Sequence, residues 1–181
     1  MDPSREREDV LATLRTAVTR LSGTMSAGLI PEEGLAFGFA IRGARDSGGI
    51  ASVLGGIRKL GRAIDTSGSI EFGNDDSASR AILTAIKFDP VMRSAAVMQY
   101  SDHILSVLEN DLFLECASFA ATARGKGGIS TMDWGIAFCC REGVPDVIYE
   151  KRPDMDNSRL VLFGEDASDV ANNIIICSNR L

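Results

Sequence analysis

The sequence is poor in the residues that most often build metal centres and nucleophilic sites. Its 181 residues include a single histidine, His103, and four cysteines that show neither CxxC spacing nor a neighbouring histidine motif. Zinc sites and disulfide frameworks both need such regular spacing, so neither is indicated. The thiols lie in apolar surroundings typical of small core residues: Cys116, Cys139, Cys140 and Cys177.

Long hydrophobic runs and concentrated positive charge are also missing. No apolar segment reaches the roughly 18 residues that span a bilayer, and Met1 to Val10 is charged, so we expect a cytoplasmic protein without membrane association. The net charge is -6, and the largest basic cluster is Arg58, Lys59 and Arg62. Because duplex binding needs a concentrated basic face, we expect no direct nucleic-acid partner.

The patterns that are present predict one α/β domain over residues 1–181. Hydrophobic residues make up 45% of the chain and charged residues 24%, which is typical of folded proteins. Apolar spacing predicts helices at 4–21, 77–87, 102–108, 131–141 and 166–177. Strands are predicted at 95–100, 112–117, 145–149 and 159–163.

The strongest strand signal is the run from Gly34 to Arg42, which alternates large with small apolar residues and predicts a central strand buried on both faces. Glycine-rich residues 43–73 predict short strands joined by loops, at 50–54, 57–60 and 69–72, since each glycine would weaken a helix. The glycines of 121–130 make that loop the most mobile candidate.

The densest polar segment runs from Phe72 to Arg80, directly before a helical pattern. Free N–H groups at a helix N-terminus attract phosphate, so an anion could bind there. The alternative is helix capping alone, since Asp75, Asp76 and Ser77 are ordinary N-cap residues. Two carboxylates would repel a phosphate unless a Mg²⁺ ion lay between Asp75, Asp76 and the anion.

Two further features have a functional and a structural interpretation. His103 could act as a general base, but no partner is identifiable by spacing, and such a histidine is more often a surface or capping residue. Trp134, the only tryptophan, could stack on a planar heterocycle or anchor a helix in the core. Composition favours the core role.

Several stretches carry a specific resemblance to the ThiN family of archaeal and bacterial thiamine phosphate synthases. The most specific is the run from Leu83 to Pro90, reading LTAIKFDP. Other matches follow in the family's order: Leu29 to Glu32, Phe72-Gly73, Arg80, Arg93, Tyr100-Ser101, Thr131-Met132, Trp134-Gly135, Gly143 to Tyr149, Phe163-Gly164 and Asp166. The resemblance extends from about residue 5 to residue 176.

The resemblance implies a three-layer α/β/α sandwich with a mixed, mostly antiparallel sheet, similar to class II aldolase (AraD-like) domains. Family members join a pyrimidine pyrophosphate to a thiazole phosphate, giving thiamine phosphate and pyrophosphate. The domain often follows a pyrimidine kinase or, in a regulator, a DNA-binding helix-turn-helix. The substrate-binding residues implied are Gly73, Asn74, Asp75, Asp76, Ser77, Arg80, Lys87, Met132 and Trp134.

Three positions depart from the family pattern. The pattern has a histidine where this chain has Ser77, and arginines where it has Gly56 and Gln99. A guanidinium gives phosphate two charge-assisted hydrogen bonds, and losing such a donor slows catalysis by orders of magnitude. We therefore predict a domain that binds thiamine phosphate or its thiazole phosphate precursor with weak or lost catalysis, and we assign no catalytic residue.

The alternative is an active synthase that condenses hydroxymethylpyrimidine pyrophosphate with thiazole phosphate, with Asp75, Asp76, His103 or Arg58 replacing the missing groups. Mg²⁺ would assist by neutralising the leaving pyrophosphate. A purely structural or oligomerisation domain is a third interpretation. Because the apolar strands of the chain support self-association, we expect a homodimer under all three interpretations.

Overall fold

The computed structural model describes residues 2–120, 131–151 and 158–181. Within these ranges the chain forms five α-helices: α1 (Pro3–Ser22), α2 (Ser77–Phe88), α3 (Asp102–Ser106), α4 (Thr131–Cys139) and α5 (Ala167–Ser178). The strands are β1 (Ala36–Ala40), β2 (Ile50–Val53), β3 (Arg58–Leu60), β4 (Ala63–Asp65), β5 (Ile70–Phe72), β6 (Ser94–Gln99), β7 (Cys116–Ala120), β8 (Val147–Lys151) and β9 (Arg159–Gly164). None of the helices described has the length and apolarity of a membrane span.

Seven strands form one sheet in the order β5-β2-β1-β6-β9-β8-β7, and β3 pairs with β4 in a separate hairpin. Neighbours in the sheet are antiparallel except β7 and β8, which are parallel. Residues of α1, α3 and α5 pack on one face of the sheet, and residues of α2 and α4 pack on the other. The predicted three-layer sandwich with a mixed, mostly antiparallel sheet is confirmed.

Strand β1 has the two buried faces that its sequence predicts. Phe37 and Phe39 pack with α1 and α5, whereas Ala36 and Ala40 pack with α2. Side chains alternate across a strand, so five consecutive buried residues require cover on both sides. This position fixes the loops at the start of β1 and the end of β2 beside the first turn of α2.

One strand prediction is wrong in its bounds. The expected strand at 112–117 begins only at Cys116, because Phe113 has a φ of 55°, which ends an extended run. The preceding helix is α-helical to Ser106 and continues as a π-helical turn, Val107–Asp111. Strand β4 was not predicted. The loop expected to be mobile, 121–130, lies outside the described residues.

Helix α4 lies unusually close to β7, and Gly135 makes that approach possible. A Cβ added at Gly135 would collide with ring atoms of Phe119, which is buried on β7. The absence of a side chain therefore lets α4, whose first turn borders the site described below, rest directly on the sheet.

We predict that Gly135→Ala destabilises the domain by about 1–2 kcal/mol, because overpacking outweighs the gain of about 1 kcal/mol in helix propensity. Urea unfolding measures this. Gly23→Ala is the matched control, since a Cβ there meets nothing within 4 Å. A Gly135→Ala domain as stable as the control would show that Phe119 moves aside freely.

Candidate functional site

Polar residues gather at one end of the sheet. Antiparallel pairing brings the start of β1 next to the end of β6, and the end of β6 next to the start of β9. At this end a cleft of about 330 Å³ opens between the loop after β2 and the first turn of α2. Its lining residues are Glu33, Gly34, Ala36, Gly55, Gly56, Arg58, Asp76, Ser77 and Arg80.

The first turn of α2 forms one wall of the cleft. Asp76 is the N-cap of the helix, and its Oδ1 accepts a hydrogen bond of 2.8 Å from the backbone N–H of Ser79. The capping role considered for this segment is therefore real. It does not exclude a binding role, since Asp76 and Ser77 also face the cleft, where the positive end of the helix favours anions.

Two arginines bring positive charge to the cleft. Arg80 lies 3.6 Å from Asp75 and 3.9 Å from Asp133 on α4, in both cases between side-chain nitrogen and oxygen atoms. Its side chain is 45% exposed, so these contacts leave it accessible to a ligand. Arg58 approaches the cleft from β3 and lies over Gly55. Both guanidiniums are suited to bidentate binding of phosphate.

The backbone of the cleft requires glycine at position 56. Gly56 has a φ of +73°, and a Cβ there would lie 2.9 Å from the carbonyl oxygen of Leu35. L-residues are strained at this φ, and the neighbour is backbone that cannot turn aside. Gly56 and Ser77, two of the three departures from the family pattern, line the same cleft.

The third departure, Gln99, belongs to a hydrogen-bonded network behind the cleft. Its Oε1 accepts a hydrogen bond of 3.3 Å from Nη1 of Arg159, the residue opposite Gln99 on the neighbouring strand β9. Arg159 also donates to both carboxylate oxygens of Glu33, at 2.6 and 2.9 Å. The hydrogen bond from Arg159 lowers the pKa of the Glu33 carboxyl below its usual value. This network therefore ends on a residue that lines the cleft.

Other predicted site residues lie around the cleft rather than in its lining. Asn74 hydrogen-bonds Ser52 on β2 at 3.2 Å, and Gly73 donates to the carbonyl of Ser47 at 3.0 Å, so both fix the loop before α2. Asp75 is exposed beside Arg80. Lys87 is near the opposite end of α2, in a separate cleft with Leu83, Ile86 and Pro90.

Met132 and Trp134 are half-buried on α4 and pack against the core cluster beneath α2. The Trp134 ring stacks on Phe138 with 5.1 Å between centroids. These contacts match the core role that composition favours for Trp134. Neither residue lines the cleft, although Asp133 between them contacts Arg80.

The single histidine is remote from the cleft. His103 lies on α3, which packs on the opposite face of the sheet, and its Nε2 is 3.0 Å from the carbonyl oxygen of Arg180. The chain has no other histidine. In the residues described, no group of three acidic, histidine or cysteine side chains is arranged to hold a metal ion.

The family profile described as thiamine-phosphate synthase ThiN matches residues 13–176 of this sequence. The chain belongs to the ThiN family. The predicted membership is thereby confirmed, and it links this ThiN domain to thiamine biosynthesis.

Curated and solved relatives agree with this assignment. The bifunctional thiamine biosynthesis protein ThiDN of Methanocaldococcus jannaschii is 29% identical over 172 residues, covering 93% of this chain. The matched part is only 40% of that protein. The crystal structure of the C-terminal domain of phosphomethylpyrimidine kinase superposes with a TM-score of 0.86 at 25% identity, covering 94% of this chain and 99% of that one.

The expected likeness to class II aldolases is confirmed for the fold. L-fuculose-1-phosphate aldolase from Thermus thermophilus superposes with a TM-score of 0.51 at 13% identity, covering 96% of this chain and 92% of that one. At such identity the likeness concerns the arrangement of strands and helices and carries no information about the reaction.

Sequence reasoning missed part of the cleft of this ThiN domain. Glu33, Gly34, Ala36 and Gly55 line it, and Arg159 stands behind Glu33. These residues lie in loops or at strand ends, where no periodicity marks them. The Pro31-Glu32-Glu33-Gly34 turn before the central strand was the one local signal available, because a glycine-containing turn places its polar neighbours at the sheet end.

Proposed function

We propose that this ThiN domain binds thiamine phosphate or its thiazole phosphate precursor in the cleft at the first turn of α2, with weak or absent synthase activity. The observation that carries the proposal is the meeting of Gly56 and Ser77 in one cleft that also contains Arg58 and Arg80. Arg58 and Arg80 can hold an anion, whereas a serine stands at the position of the family's histidine and a glycine without a side-chain donor stands at that of one arginine.

Phosphate binding follows from the charges of the cleft. The two guanidiniums, and the backbone N–H groups at the start of α2 that do not bond Asp76, can donate to phosphate oxygens. The carboxylates of Glu33 and Asp76 oppose an anion at the same place. Mg²⁺ is part of the proposal for this reason: Asp75 and Asp76 would hold it together with the ligand's phosphate oxygens, a ligand set that Mg²⁺ commonly takes.

Weak catalysis follows from the shortage of proton carriers. Arginine stays protonated, so the carboxylates of Glu33 and Asp76 are the remaining candidates for a general base among the residues lining the cleft. Glu33 is bonded to Arg159, and Asp76 caps α2. Both carboxylates are thus engaged in structural hydrogen bonds.

The second candidate function is an active thiamine phosphate synthase. Arg58 favours it, because this guanidinium reaches the cleft from β3 although position 56 is glycine. Departure of pyrophosphate mainly requires neutralisation of charge, which Arg58, Arg80 and Mg²⁺ would supply. His103 has no part in this candidate, since it lies on the other face of the sheet.

Product formation separates the two candidates. The domain is incubated with hydroxymethylpyrimidine pyrophosphate, thiazole phosphate and Mg²⁺, and thiamine phosphate is detected by its fluorescent oxidation product. We expect turnover far below that of a ThiN synthase, or none, while calorimetry shows heat of binding with thiamine phosphate or thiazole phosphate. A ThiN synthase in the same mixture is the positive control.

Accumulating product would identify an active synthase, and Arg58→Gln should then abolish it. If neither thiamine phosphate nor thiazole phosphate gives heat of binding, the proposed binding of both ligands is contradicted.

The proposal includes the homodimer expected from the sequence, although the apolar residues of the strands are covered by helices on both faces of the sheet. Light scattering over a range of concentrations tests it, and a mass of one chain throughout would contradict it. Light scattering reports only the oligomeric state, and calorimetry reports ligand binding.

A further inference from the structure

The cleft ends at a carboxylate that stands directly in front of a guanidinium. Glu33 lines the cleft, and both of its carboxylate oxygens accept hydrogen bonds from Arg159, from Nε at 2.6 Å and from Nη2 at 2.9 Å. A phosphate group could occupy the same two donors, because guanidinium binds carboxylate and phosphate in the same bidentate geometry.

The two partners of this ion pair are held very differently. The Arg159 side chain is 16% exposed, and its Nη1 donates to the carbonyl of Ser158 at 2.9 Å and to Gln99 at 3.3 Å. Arg159 and Gln99 are paired in the β6–β9 ladder, so the sheet fixes the guanidinium. Glu33 is 58% exposed and lies in the turn before β1. Glu33 is therefore the partner that can leave.

A buried glutamate on β8, the strand next to β9, occupies the position beside Arg159. Glu150 is 2% exposed and follows Tyr149, which pairs with Leu160. Glu150 and Arg159 thus occupy neighbouring positions of β8 and β9, on the face where Ile148 packs. A cation near a buried carboxylate offsets part of its desolvation, and Arg159 occupies that neighbouring position in the sheet whether or not Glu33 stays.

We infer that Arg159 is the residue that anchors the anionic group of the ligand, and that Glu33 competes with the ligand for it. The inference rests on the proposed function only in taking the ligand to be a phosphate or diphosphate. The ligand's oxygens replace the Glu33 carboxylate on Nε and Nη2. The exchange replaces one bidentate pair with another, so the guanidinium keeps two charge-assisted hydrogen bonds while the more exposed Glu33 carboxylate returns to solvent.

Two neighbouring glutamates provide a matched test. Glu32 and Glu33 are both exposed, yet of the two only Glu33 pairs with Arg159 in the residues described. Glu33→Gln and Glu32→Gln remove the same charge one residue apart. Binding of inorganic pyrophosphate and of thiamine phosphate is measured by calorimetry for both variants and the unchanged domain.

We expect Glu33→Gln to tighten the binding of both ligands about fivefold, and Glu32→Gln to change it less than twofold, since only the first removes a competitor in contact with the guanidinium. Arg159→Lys keeps the positive charge but loses the bidentate guanidinium donor, so binding of both ligands should weaken about tenfold. Thermal unfolding shows whether each variant is folded, and the Glu33→Gln result stands even if Arg159→Lys does not fold.

The outcomes separate this inference from the proposed function. Tighter pyrophosphate binding in Glu33→Gln alone, without thiamine phosphate binding, supports the role of Arg159 and contradicts the proposed ligand. Thiamine phosphate binding that responds equally to both glutamine variants supports the ligand and overturns the competition. Absence of binding by pyrophosphate and thiamine phosphate in every variant overturns both.

Discussion

Replacing Gly56 by arginine, the residue of the ThiN pattern, is expected to destabilise the domain by about 3 kcal/mol and to leave it without synthase activity. The left-handed φ of +73° is unfavourable for any L-residue, and the added Cβ would lie 2.9 Å from the backbone oxygen of Leu35. The loop is shaped around glycine, so an arginine there would have to move the backbone before its guanidinium could reach a ligand.

Urea unfolding of alanine variants separates the two parts of this effect. Gly61 has a φ of +63° and nothing within 4 Å of an added Cβ, so Gly61→Ala should cost only the backbone strain, about 1 kcal/mol. Gly56→Ala adds the collision with Leu35 and should cost clearly more. Equal stability of the two variants, or thiamine phosphate synthesis by Gly56→Arg, would show that the loop backbone readily moves to admit a side chain at position 56.

Replacing Arg80 by glutamine is expected to weaken thiamine phosphate binding at least tenfold. Arg80 stands one turn into α2, faces the cleft and is half-exposed, so its guanidinium can bond a phosphate without being freed from a buried pair. The loss of a charge-assisted donor cannot be compensated by the neutral amide.

Lys87→Gln is the matched control, since Lys87 carries the same charge on the same helix but belongs to another cleft. The affinity of the Lys87→Gln variant for thiamine phosphate should stay within about twofold of that of the unchanged domain, because an exposed charge beyond a Debye length of about 8–10 Å is screened. Calorimetry measures both, with thermal unfolding as the check on folding. If Lys87→Gln weakens binding as much as Arg80→Gln, the ligand lies at the other end of α2.

The sequence predicted most elements of the fold because local periodicity dictates them. The opening helix, the helix of the LTAIKFDP run and the closing helix each show a continuous apolar stripe, and each forms as expected. Strand β1 was predictable as central because both of its alternating sets are apolar. The strand predicted at 112–117 fails because a single residue, Phe113, leaves the extended conformation. Periodicity contains no signal for such a turn.

By itself, the sequence determined the family, the layered α/β architecture and the polar first turn of α2, since each depends on residues adjacent along the chain. Only the tertiary structure decided which distant residues meet. Gly56 and Ser77 share a cleft, Lys87 and His103 do not reach it, and Glu33 pairs with Arg159 across 126 positions. Sheet order and strand register set these contacts, and both arise from packing of the whole core rather than from any local pattern.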